Sequence, residues 1–422
     1  MKVLMSAAWR RWFPLVVVIV LLGAWRPATH VQAQAQVQDD VRGLWVLRST
    51  LTSPERIDEL IRSAVDGGYN TLLVQVRGRG DAYYASRIDP RADDLRTQPA
   101  GFDPFDLTIA RAHKAGLKVH AWFNVNLVAS ATTVPQTPGH IVVRQPDWLM
   151  VPRALAGPLS RLNPRSEGYL SQLARWTRSQ SATVEGLFLS PIPEASQQYT
   201  LSVVRDLLDR YPVDGLHLDY IRYPTADFDY SAAALAAFRA DRFADVVPAE
   251  RERLDRLVRT DPTAWTRMFP QQWEAFRHAR LTQLVERLRA LLVEARPGAL
   301  LSAAVVPVAA DARRLKLQDW SAWAERGLLD VICPMAYGTD VRDYARQLDD
   351  AVASAHGRPV WAGLGAWRLT VPQATEHLRA ARRRDVAGVL LFSYDSLQAS
   401  TSPRGTYFTR LRPALLAINN QP

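Results

Sequence analysis

The chain has 422 residues, 48% hydrophobic and 22% charged, with a formal net charge of +10. That composition supplies a large globular core and excludes a disordered or low-complexity protein. Residues 1–35 hold Lys2, Arg10, Arg11 and Arg26 and no acids, leaving +6 for the remainder; no compact basic motif with interleaved aromatics occurs, so no nucleic-acid partner is expected.

Lys2, Arg10 and Arg11 form a basic leader start, FPLVVVIVLLGAW an apolar stretch short for a membrane span, and VQAQA a run of small residues at alternate positions. Residues 1–35 therefore read as a signal peptide cut after Ala33 or Ala35, and the protein as exported to the periplasm or beyond. Membrane contact is expected only if this segment stays uncleaved. The single cysteine, Cys333, lies in the apolar run LDVICPMAY and reads as buried filler. With one cysteine, no intramolecular disulfide forms.

The rest of the chain alternates apolar runs with amphipathic stretches, the pattern of parallel βαβ units. Run one is 43–47, followed by a helix over 54–66 with Pro54 in its first turn and Gly67-Gly68 at its end. Run two, 71–76, leads into RGRGDAYYAS, and a helix over 104–115 precedes run three, 117–123. A long insertion, 127–182, follows, then an extra short strand at 184–189 and a helix over 197–210. Run four is 214–219. A second long connection, 223–272, holds a helix at 231–243 and the aromatic turn WTRMFPQQW; the helix 273–295 follows. Runs five to eight are 300–306, 329–335, 359–364 and 387–393, with a closing helix at 407–417. The fold class is α/β, a (β/α)8 TIM-like barrel spanning 41–418 with long insertions after strands 3 and 4.

Ligand chemistry in such a barrel collects at the C-terminal ends of the strands, and alternate side chains face inward. In DGLHLDYIRYP (214–224), Asp219 ends run four, His217 lies one layer beneath, and Tyr220 and Arg222 follow in the loop. By the same parity His120, Trp122 and Asn124 face inward from run three, and Gln75 and Arg77 from run two with Asp81 beyond. Run six adds Met335 and Tyr337 with Asp340 after them, run seven Trp367, and run eight Tyr394 and Asp395. Aromatic faces with amides, carboxylates and arginines suit a sugar. Glycoside hydrolysis takes two carboxyl groups. Asp219 is the leading nucleophile and Asp340 the leading proton donor, with Asp395, Asp81 and Glu274 as rivals. A metal held by His120, His217 and Asp219 is an alternative that no further ligand motif supports, and no cofactor is expected.

The motifs RGLWV (42–46), VQVRGRGDAYYAS (74–86), FDPFDLTIARAHKAGLKVHAWFN (102–124), VDGLHLDYIRYP (213–224), WEAFR (273–277), LQDWSAWAERGLLDVICPMAY (317–337) and GVLLFSYDSL (388–397), taken in order, resemble glycosyl hydrolase-like family 10. The resemblance implies a bacterial envelope protein with a TIM-like barrel, similar to enzymes that cut peptidoglycan glycan strands. It implies Asp219 as the acidic residue, with Arg42, Trp45, Arg77, His120, Asn124 and Tyr337 around it, and a polysaccharide as the partner. Two positions depart from the family's pattern: Tyr220 stands where a second acid is common, and Ser190, in SPIPEAS, where an Asp is common. A non-catalytic glycan-binding barrel is the second reading that these departures favour. The sequence leaves the oligomeric state open.

Overall fold

A computed structural model describes residues 40–398 and 406–417. The expected leader, 1–35, and residues 399–405 and 418 of the expected barrel span lie outside them. In chain order the strands are β1 (Val41–Val46), β2 (Thr71–Arg77), β3 (Lys118–Asn124), β4 (Leu127–Ala129), β5 (Leu187–Phe188), β6 (Gly215–Asp219), β7 (Leu300–Val305), β8 (Val331–Pro334), β9 (Trp361–Leu364) and β10 (Gly388–Leu391). Eight of them form one sheet in the order β8-β7-β6-β3-β2-β1-β10-β9. Every pairing within it is parallel, and a bridge from Ile332 to Val360 joins the β8 and β9 edges into a nearly closed barrel. Each of the eight expected runs is one of these strands. The extra run, 184–189, is β5, which pairs antiparallel with β4 outside the barrel.

The strands read as apolar runs because both faces are covered, one by helices and one by the barrel interior. Val41, Trp45, Leu73, Trp122, Leu300, Val331, Cys333, Trp361 and Leu390 fill that interior. Cys333 is fully buried there, as its apolar setting implied. Helix ends follow local chemistry. The helix Pro54–Gly67 starts with Pro54 behind the Ser53 cap and stops at Gly68, whose φ of 77° is left-handed. Asp103 caps Pro104–Lys114 by accepting from the Phe105 and Asp106 N–H groups at 3.2 and 3.1 Å.

The insertion after β6 builds a second small core from Tyr230, Phe238, Trp265, Trp273 and Phe276. Here the expected aromatic turn is instead two helices, Ala264–Met268 and the start of Pro270–Ala295. Phe269 breaks between them, Pro270 opens the second, and Trp273 stacks on Phe276 at 5.9 Å. Aromatic side chains that look like turn punctuation are buried helical faces once the two insertions pack together.

One close approach fixes the barrel's closing edge. A methyl on Gly363 in β9 would lie 2.4 Å from the Pro334 carbonyl oxygen and 3.0 Å from the Trp45 ring. The obstructing atom is backbone, so Gly363→Ala is expected to destabilise the fold by about 1–3 kcal/mol, read as a lowered urea midpoint. An unchanged midpoint would mean that the β8–β9 edge opens freely.

Candidate active site

β3 and β6 pair in register, Trp122 beside His217 and Asn124 beside Asp219. This places Asp219 at the barrel mouth. The next residue, Tyr220, has a left-handed φ of 51°. That turn lets Asp219 Oδ1 accept the Tyr220 backbone N–H at 2.7 Å. A tyrosine in this region is strained by roughly 1–2 kcal/mol. It is held there between the Arg222 guanidinium, 4.7 Å from its ring centre, and the Phe188 ring at 5.9 Å.

Asp219 Oδ2 accepts from Trp122 Nε1 at 3.1 Å, and the same N–H reaches Asn124 Oδ1 at 2.9 Å. Asn124 in turn donates to the Gly78 carbonyl at 2.8 Å. Its Oδ1 also receives Gln75 Nε2 at 3.4 Å, while Gln75 Oε1 accepts from Arg48 at 3.1 Å. A chain of polar contacts thus runs from Arg48 to Asp219 across three strand ends. Beneath it, Trp45 Nε1 donates to His217 Nε2 at 3.0 Å, which leaves Nδ1 as the protonated nitrogen facing Ser302 Oγ at 2.9 Å. Burial first, and the charge of His120 second, hold His217 well below the usual histidine range, so it is neutral.

An aromatic bowl surrounds the carboxyl. Tyr337 meets Trp45, Phe392 and Trp367 with ring centres 6.2, 5.4 and 5.1 Å apart, and Trp122 meets Phe392 at 6.2 Å. Trp367 stands at the rim, 42% exposed. Asp219 itself is 7% exposed. Burial raises its pKa to about 6, against the opposing pull of Arg222, the Tyr220 N–H and the Trp122 N–H. A carboxyl that keeps its proton up to about pH 6, in a bowl with the exposed Trp367 at its rim, is equipped to give a proton to a sugar oxygen.

A model of the glycosyl hydrolase-like 10 family matches residues 40–168 and 169–360. The chain belongs to that family. It is 26% identical over 320 residues to glycosyl hydrolase DigH of Escherichia coli K12, covering 69% of this chain and 59% of that protein. To glycosyl hydrolase YngK of Bacillus subtilis 168 it is 22% identical over 263 residues, 57% of this chain and 45% of that one. The chain thus spans 59% or less of the length of either relative. Among solved structures, the glycoside hydrolase domain of PgaB (BpsB) from Bordetella bronchiseptica superposes with a TM-score of 0.61 at 17% identity, over 89% of this chain and 99% of that domain. The GH42 β-galactosidase Gan42B of G. stearothermophilus gives 0.56 at 14% identity, over 90% and 57%. These likenesses share the TIM-barrel fold.

Against this family frame, the structure brings together Asp219, Trp45, Trp122, Asn124, His217, Tyr220, Arg222, Tyr337 and Trp367. Other expected residues lie elsewhere. Arg42 sits at the opposite pole, bonding Asp40 and the Gly68 carbonyl. His120 pairs with Gly215, four residues before Asp219, and packs on Trp361, so it and Asp219 do not converge on one ion. Arg77 is 1% exposed and bound to Asp89 at 2.6 Å, inside the protein rather than in the bowl. Asp81 accepts the Arg79 backbone N–H within its own loop at 2.9 Å.

Asp340 is a helix cap. It accepts the Arg342 and Asp343 N–H groups at 2.7 and 3.0 Å, and those bonds lower its pKa, the reverse of what a proton donor needs. Asp395 accepts from Leu47 N at 2.6 Å and from Ser49 and Thr50, tying the β1 end to the short helix Tyr394–Gln398 after β10. Tyr394 is buried and stacked on Phe408 of the closing helix, Thr406–Leu416, not in the bowl. Glu274 is exposed on the outer helix, near His278.

Sequence reasoning missed Glu185, Arg48, Ser302 and Phe392. Glu185 precedes β5 rather than ending a barrel strand, so the strand-end rule passes over it. It binds Arg222 at 2.7 Å, with 36% of its side chain in solvent and the rest enclosed near Arg222 and Lys316. Burial pushes its pKa up, but Arg222 more than offsets that and leaves it lowered.

Proposed function

We propose that the chain is an exported glycoside hydrolase of a bacterial envelope polysaccharide, with peptidoglycan glycan strands as the leading substrate and Asp219 as its proton donor. The single observation that carries this reading is a strand-end carboxyl in an aromatic bowl with its pKa raised to about 6. That state suits the acid rather than the nucleophile. Family membership and the glycosyl hydrolase names of DigH and YngK support the reaction class. Export rests on the leader-like composition of residues 1–35.

The reaction takes a second, ionised carboxylate. Glu185 fits that state: its charge helps push Asp219 up, while Arg222 keeps Glu185 itself ionised. Two carboxyls driven apart in pKa are the usual sign of an acid and its counterpart. Purified protein is expected to release reducing ends from peptide-free peptidoglycan glycan, and Glu185→Gln to lower that rate at least ~10²-fold with glycan binding retained. A Glu185→Gln variant at the parent rate would assign the counterpart to another group.

A non-catalytic glycan-binding barrel is the second reading. It is favoured by the placement of Asp340, Asp395, Asp81 and Glu274, each engaged away from Asp219. Glycan binding without any release of reducing ends would establish it.

A further inference from the structure

Two arginines at the bowl's rim form no ion pair among the described residues. Arg48 follows β1 and lies across Gly78: a methyl there would fall 2.5 Å from Arg48 Nη1 and 2.7 Å from its Cδ. Its bond to Gln75 at 3.1 Å joins it to the chain that ends on Asp219. Arg79 lies one residue past that glycine and is half-buried. Burial first and the charge of Arg48 second oppose the charge on Arg79, while Tyr220 and Asp81 favour it. Among the described residues neither arginine is ion-paired. Asp81 is the one acid at Arg79's side, and its Oδ1 is bound to Arg79's own amide N–H. Folding therefore gathers two guanidinium groups and the Asp81 carboxylate near Tyr220, the residue after Asp219, a net positive edge on a half-desolvated surface. Such an arrangement is unfavourable until an anion fills it, and paired guanidinium forks match a carboxylate.

The geometry points to Arg48 and Arg79 as a subsite for a carboxylate carried by the glycan, so that the substrate is an acidic polysaccharide with a carboxylate-bearing sugar next to the scissile bond. This rests on the reading of Asp219 as the reacting group, and it adds the charge class of the substrate. Gly78 is then a specificity element as well, because any side chain there displaces Arg48.

The test measures binding by calorimetry in the Asp219→Asn background, where turnover cannot interfere. The probes are a peptide-free peptidoglycan oligosaccharide, the same oligosaccharide with its carboxyl groups amidated, and an oligogalacturonate. Amidation is expected to weaken binding at least about tenfold. Adding Arg79→Gln or Arg48→Gln should bring the acidic glycan down to the affinity of the amidated one, and amidation should then make no difference. Equal binding of the acidic and amidated forms, equal loss for both in Arg79→Gln, or no binding of either acidic probe would overturn the proposal. Tighter binding of the oligogalacturonate would assign the carboxylate to a uronic sugar; tighter binding of the peptidoglycan fragment assigns it to a lactyl ether. Charge-dependent binding by a protein whose Asp219 form cuts nothing would leave the subsite standing and remove the hydrolase reading. Hydrolysis indifferent to amidation would do the reverse.

Discussion

Asp219→Asn is expected to lower hydrolysis by ~10²–10⁴-fold, the usual contribution of a positioned acid, and to change how stability depends on pH. The wild-type carboxyl has a pKa of about 6 when folded, against ~3.9 in an unfolded chain. Over that window the folded state holds the proton and the unfolded state has lost it, so wild-type stability falls as pH rises from about 4 to about 6. Roughly 3 kcal/mol rides on that change. Asparagine carries no charge and lacks this dependence. Its stability relative to wild type should therefore improve by about that amount between pH 3.5 and 7, whatever offset arises from its amide facing the Trp122 or Tyr220 N–H. Parallel urea titrations at the two pH values check it. Parallel curves for the two proteins would mean that Asp219 titrates in the ordinary carboxyl range. The rate profile carries the same signature: kcat/KM should decline as pH rises through about 6, as the acid is lost.

Arg77→Met is expected to be the most destabilising of the substitutions considered, at about 3–5 kcal/mol, because it leaves the buried Asp89 carboxylate without its partner. Arg77 and Asp89 are 1% and 4% exposed. Arg77 Nη1 also donates to the Asn124 carbonyl at 2.7 Å, and Tyr199 donates its hydroxyl to Asp89. Burial works against the Arg77 charge and Asp89 more than restores it. Replacing both partners, Arg77→Met with Asp89→Leu, should recover most of the loss, since an apolar pair leaves no orphaned charge. Denaturant midpoints for the two singles and the double measure the coupling. A loss below ~1 kcal/mol in the single would place the pair in solvent. The single should also weaken activity, because Arg77 holds the end of β3, which carries Asn124 and Trp122.

Arg77 also shows where reading side-chain alternation fails. Gln75 and Arg77 share a parity, and both were expected to face the site. Between them the register shifts: Gln75 pairs with Trp122 but Arg77 with Phe123. A bulge of one residue turns every later side chain to the other face. Gln75 consequently joins the network at the mouth, and Arg77 lies over the Phe123 ring at 4.7 Å. His120 fails differently. Its inward parity is right, but it sits four residues below the Asp219 level, and alternation contains no depth.

Asp340 fails for a third reason. A carboxylate after a strand is equally the first cap of the next helix, and two backbone N–H groups claim it. Glu185 was passed over because it reaches the site from an insertion, through Arg222.

The sequence by itself determined the eight strands and their order along the chain, because burial on both faces writes each one as a short apolar run between helix caps and glycine stops. It also determined the address of Asp219, since the last residue of such a run must stand at the barrel mouth. Only the tertiary structure decided which side chains keep it company. The β2 bulge and the Glu185–Arg222 ion pair depend on contacts between residues distant in the chain, and the Asp340 cap, though local, depends on where the helix after β8 begins. The protonation of Asp219 was decided there too: a carboxyl has an ordinary pKa in any sequence, and only burial at the barrel mouth, outweighing the pull of Arg222 and of the Tyr220 and Trp122 N–H groups, holds its proton up to about pH 6.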